Sequence, residues 1–138
     1  MLVSRLLIAL VVMLAGQTAE AQQQKALTLA CKGTATGDDG KPDPISMGII
    51  INLTAGTVQG FGLPGVMDYP LKMTATNDVR VPFSGSQELI SSVSSIRGSI
   101  DRVTEDVEAT STLTDPKTHN TLNQTNYALQ CKPTQRMF

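Results

Sequence analysis

Polar and apolar positions alternate along most of this chain, and a period of two predicts β-strands rather than helices. Two stretches near opposite ends set the pattern. Leu27-Thr28-Leu29-Ala30-Cys31-Lys32 and Tyr127-Ala128-Leu129-Gln130-Cys131-Lys132 each place every second residue on one half-buried face and end in Cys-Lys. Between them, Ile45, Met47, Ile49, Ile51 and Leu53 give five consecutive alternate apolar positions, the pattern of a core strand. Ala55-Gly56 then turns the chain into Thr57–Gly62, a hairpin in which Gly60 and Gly62 around Phe61 mark a bulge, a bend or a close backbone approach.

Further strands follow. Tyr69, Leu71, Met73 and Ala75 share a face, and so do Val79, Val81 and Phe83; Pro82 between them points to an edge position or a strand end. Ile96, Gly98 and Ile100 begin a second hairpin that returns through Val107, Ala109, Ser111 and Leu113. Residues 87–95 break the rule. Leu89, Ile90, Val93 and Ile96 have helical spacing, which predicts an irregular or one-to-two-turn helical connection, with an irregular strand as the alternative. Residues 36–44, 84–95 and 114–124 are rich in Gly, Pro, Ser, Asn and Asp and read as loops. The sum is about seven to nine short strands at spacings of roughly 8–12 residues, an all-β antiparallel barrel or sandwich.

The first residues bear on compartment. Arg5, the apolar run Leu6–Ala15 and the Ala19-Glu20-Ala21 site form the three parts of a secretory signal peptide. The apolar run is roughly half of the about 20 residues a spanning helix needs. Cleavage between Ala21 and Gln22 leaves one β-domain over 22–138, with no membrane span and a periplasmic or extracellular destination. Leu29-Ala30-Cys31 resembles the end of a lipobox, but Gln22-Gln23-Gln24-Lys25 separates it from the apolar run. An exported chain with two cysteines predicts one disulfide, Cys31–Cys131, joining the first and last strands.

Charge and composition narrow the partners. The net charge of −1 carries no basic cluster, which argues against nucleic acid. Tryptophan is absent, so an aromatic stacking platform has few residues to build from. The reading is a monomer whose partner is a protein or small molecule.

Candidate chemistry is sparse. His119 is the sole histidine, and neither G-x-S-x-G nor S-x-x-K occurs, so no catalytic set is assigned. Asp101, Glu105, Asp106 and Glu108 are carboxylates of one hairpin, read as solvated. Asp38, Asp39 and Asp43 lack the EF-hand spacing, so neither a metal nor another cofactor is assigned. Ser91, Ser92, Ser94 and Ser95 read as loop composition rather than nucleophiles. Asn52-Leu53-Thr54 and Asn123-Gln124-Thr125 match the glycosylation sequon, read as coincidence.

Cys31-Lys32-Gly33, the segment Gly98–Thr104 and the ending Tyr127–Phe138, together with the leader, resemble small exported β-proteins of Gram-negative bacteria. That resemblance implies compartment and fold and carries no activity. A looser likeness, through Ser84-Gly85-Ser86, is to the periplasmic C-type lysozyme inhibitors, small bridged β-barrels with a Ser/Gly-containing inhibitory loop. The function expected is a non-enzymatic binding or envelope-associated module, with loops 36–44, 84–95 and 114–124 as its recognition surface. The alternatives are a small hydrolase using acidic residues or His119, and a lipocalin-like carrier of a small apolar ligand.

Overall fold

The computed structural model describes residues 26–62, 68–75 and 77–134, and the proposed leader and its Ala21–Gln22 junction lie outside them. Eight antiparallel strands form one closed barrel. They are β1 (Ala26–Thr36), β2 (Pro42–Asn52), β3 (Thr57–Gln59), β4 (Leu71–Met73), β5 (Arg80–Glu88), β6 (Val93–Asp101), β7 (Asp106–Thr114) and β8 (Thr121–Thr134). Each strand pairs with its neighbours in sequence, and β8 returns to pair with β1. Closure leaves no free sheet edge on either terminal strand.

The alternation in the sequence is the alternation of the wall. Leu29 and Cys31 on β1, Ile49 and Ile51 on β2, Val81 and Phe83 on β5, and Leu129 and Cys131 on β8 are buried inside. Intervening residues such as Lys32, Arg97, Glu108, Asn126 and Gln130 face outward and are exposed. Polar positions therefore face out and apolar ones in, the reverse of the outward apolar band of a lipid-facing barrel. No helix among the described residues is long and apolar enough to cross a membrane.

Cys31 and Cys131 occupy directly paired positions at the β1–β8 seam, with Cα atoms 4.0 Å apart, and form the disulfide. Both are buried, so the bridge belongs to the core as well as to the seam.

The wall is thinnest at β3 and β4. Phe61, just past β3, fills the space behind them and is 1% exposed. Its ring stacks on Phe83 at 5.3 Å between centroids and meets Tyr127 edge-on at 5.8 Å. Such aromatic pairs add about 0.5–1.5 kcal/mol beyond their burial. Gly60 delivers Phe61 there. Its φ of 127° lies in a region that side chains rarely adopt, and a Cβ at this position would strike the Gly48 carbonyl. The close approach expected from the Gly-x-Gly pattern is thus the one observed.

Three expectations change. Residues 87–95 contain no helix: β5 runs to Glu88, β6 starts at Val93, and Leu89 N–H donates to Ser92 O at 2.8 Å to close the hairpin. The apparent helical face is accidental, because Ile90 at the tip is fully exposed while Ile96 is buried. The loops are also shorter than their composition implies. Pro42–Pro44 pair with Thr34–Thr36, and Thr121, Asn123 and Gln124 pair with β7, leaving turns at 37–41 and 115–120. Ser94 and Ser95 lie in strand β6 rather than in a loop.

Pro82, finally, lies inside β5 rather than at a strand end, where β5 is locally an edge. Its carbonyl accepts the Thr74 N–H at 3.0 Å, so the N–H it lacks would also face the β4 side. β4 has ended at Met73 there, and the β5–β6 ladder loses no donor.

Candidate binding site

In an up-and-down barrel, alternate connections fall at the same end. The turns 37–41, 89–92 and 115–120 therefore share one end. These turns are the cores of the three segments expected to carry recognition. Asp38 ties two of them together, its carboxylate accepting the Gln124 N–H at 3.1 Å. Within segment 114–124 itself, Asp115 accepts backbone N–H groups from Lys117 at 2.7 Å and Thr118 at 2.9 Å. The Thr118 and Lys117 N–H groups hold its carboxyl below the usual range. His119 closes this turn with φ of 59° and donates its own N–H to Asp115 O.

Asp101 sits at the opposite end. It caps the β6–β7 turn by accepting N–H groups from Val103 at 2.8 Å and Thr104 at 2.9 Å. The Thr104 and Val103 N–H groups likewise lower its pKa. The residues offered for a hydrolase, Asp101 and His119, are therefore placed at opposite ends of the barrel. Glu105, with φ of 65°, stays in the Asp101 turn, Asp106 begins β7, and Glu108 projects from the outer face of β7. Among the described residues no group of three or more His, Cys, Asp or Glu is arranged to hold a metal ion. Asp39 accepts the Lys41 N–H within its turn.

Below the loop-bearing end, the inner wall becomes polar. Gln87, Ser94 and Ser111 face inward from β5, β6 and β7, with Gln87 directly opposite Ser94. Ser94 is 0% and Ser111 2% exposed, and both hydroxyls, with Gln87 Oε1, lack a protein hydrogen-bond partner. Tyr69 covers this wall, its hydroxyl donating to Ser94 O at 3.4 Å. The inward Ser111 follows from the alternation through Val107, Ala109 and Leu113; Ser94 is reached by continuing the Ile96–Gly98–Ile100 face one step back.

A second feature lies outside. A concavity of about 890 Å³ runs across the outer face of β5 to β8. Its floor is a register row of directly paired residues, Ser84, Arg97, Thr110 and Asn126. Gly98 lies beneath it on the inner side. A Cβ there would lie 2.6 Å from Phe83 Cζ and would also meet the Glu108 carbonyl, so β6 packs directly on the core at this point.

No family model matches the chain, and no curated protein and no solved structure matches it.

Proposed function

We propose that this protein is an exported, disulfide-clamped binding module that meets its partner with the loop-bearing end of the barrel. The observation that supports this reading is the convergence of turns 37–41, 89–92 and 115–120 on one end. Three polar segments distant in sequence thereby become one surface on a rigid scaffold, the arrangement in which loops carry recognition. Ile90 adds a fully exposed aliphatic side chain at the tip of its hairpin, suited to entering a partner's pocket.

Two further arguments favour binding over the alternatives. Asp115, the carboxylate in the His119 turn, is taken up by the backbone N–H groups of Lys117 and Thr118, and Asp101 caps a turn at the opposite end, so both serve their turns rather than a reacting centre. Phe61, Phe83, Leu71 and Ile49 fill the middle of the lumen, where a carrier would need space for an apolar ligand. Export rests on the leader pattern over 1–21, and the buried disulfide agrees with an oxidising compartment.

The test is site-specific photocrosslinking in cells producing the chain with its own leader. A photoreactive residue at position 90 or 119 should capture a discrete partner, whereas one at 55 or 103, at the opposite end, should not. Equal capture from both ends, or none from either, would overturn the proposal. Intact mass of the exported protein checks the rest: it should begin at Gln22 and gain about two hydrogens on reduction.

A further inference from the structure

We propose that the outer concavity over β5 to β8 is a second binding site, for an acidic saccharide, a hydroxylated ligand that sets one of its oxyanions on Arg97. This site is independent of the loop-bearing end. Arg97 stands at its centre, and its directly paired neighbours are hydroxyl residues, Ser84 on β5 and Thr110 on β7. Arg97 is exposed, and its guanidinium has no hydrogen bond or ion pair among the described residues. Its forked donors match a carboxylate or phosphate in two parallel hydrogen bonds.

The remaining groups decide what carries that oxyanion. Glu108 lies diagonally beside Arg97, one step along β7, and would repel a bare anion. A ligand that also offers hydroxyl donors satisfies Glu108 while its oxyanion takes Arg97. Thr110 donates to Asn126 Oδ1 at 2.9 Å, an acceptor thus engaged, and the Asn126 amide N–H groups remain as donors a ligand can use. Ser86, paired with Ser95, and Ser99, opposite Glu108, extend the hydroxyl lining along the floor. Donors and acceptors therefore alternate over the floor, with one fixed positive charge. The concavity, about 890 Å³, is shallow and largely open to solvent, so a ligand would lie along its floor rather than be enclosed. The aromatic residues of its lining, Phe83 and Tyr127, have their side chains buried on the inner side of the wall, so recognition is by hydrogen bonds and charge rather than stacking.

The experiment is an amide-resonance titration of the exported, disulfide-bonded protein with trigalacturonate, maltotriose and inorganic phosphate as separate probes. Trigalacturonate should give saturable shifts at Ser84, Ser99 and Thr110. Arg97→Gln should weaken it by roughly tenfold, the scale of one lost charge-assisted pair. Lys117→Gln, at the loop-bearing end, should leave it unchanged. Maltotriose binding as tightly would overturn the role of the oxyanion, and phosphate binding as tightly would overturn the role of the hydroxyls. Shifts that do not saturate by about 10 mM trigalacturonate would overturn the site altogether.

Discussion

Reducing the Cys31–Cys131 bridge should remove about 4–5 kcal/mol of stability, and the size follows from where the bridge sits. It joins residues 100 apart in sequence. On the chain-entropy model, closing a loop of that length disfavours the unfolded ensemble by about 4.7 kcal/mol. Small domains have net stabilities of about 5–15 kcal/mol, so this share is large. Comparing oxidised and reduced forms of one sequence keeps both sulfurs in the core, so that no cavity term enters. With a urea m-value of about 2 kcal/mol per M, the midpoint should fall by roughly 2 M. Tryptophan is absent, so far-UV circular dichroism or tyrosine fluorescence must report unfolding.

Kinetics make the test sharper. Pairing β1 with β8 is the most non-local step in the barrel, and every other pairing joins sequence neighbours. A bridge at that seam shortens the longest loop the chain must close before the barrel forms. Reduction should therefore slow folding more than it speeds unfolding. If the midpoint moves by less than about 0.5 M, or if the whole change lies in the unfolding rate, the entropic argument fails.

Three other outcomes follow from specific atoms. Gly98→Val should destabilise by at least about 2 kcal/mol, because the added carbons meet the Glu108 backbone and the Phe83 ring; a midpoint within experimental error of wild type would contradict the packing. Ser111→Ala should be neutral or stabilising by up to about 1–3 kcal/mol, since it deletes a buried hydroxyl without a protein partner; a loss above about 1 kcal/mol would mean that the hydroxyl is paired. Asp101 and Asp115 have folded pKa values lowered by backbone N–H groups, so their contribution is fully present above the unfolded carboxylate range and lost as pH falls through the folded values. Urea midpoints should be flat from pH 7 to 5 and decline below about 4, with a shallower decline in Asp101→Asn/Asp115→Asn; an identical decline would assign acid loss to other groups.

The strand cores were legible because only alternation satisfies a wall with a dry side and a wet side. Ile45–Ile51 and Val107–Leu113 carry that contrast in plain form. Strand ends were not legible, for the same reason. Outward strand positions are chosen for solvent, as turns are, so Pro42-Asp43-Pro44 and Thr121, Asn123 and Gln124 resemble loop although they are paired. In residues 87–95 the tight hairpin resets which parity faces inward. Leu89 and Ile90 at the turn then line up with Val93 and Ile96 at helical intervals without sharing a helix. Closure itself left one trace, the matched Cys-Lys endings of the first and last strands, because a barrel and a sandwich impose the same alternation on each strand.

The candidate surfaces were legible in unequal measure, and the reason is topological. Loop recognition needs only that a connection be polar, which a linear reading detects. That three connections meet at one end follows once the strands run up and down in order. The outer concavity depends on register across four strands: Ser84, Arg97, Thr110 and Asn126 become a row only when β5 to β8 are aligned residue by residue. A slip of one residue would turn Arg97 inward and expose Ile96. The core that holds this register is Phe83 packed over Gly98 and Ala109, with Tyr127 beyond. The apolar side of the wall thus fixes the polar row on its other side, so Gly98→Val should perturb saccharide binding even though Gly98 presents no side chain to the ligand.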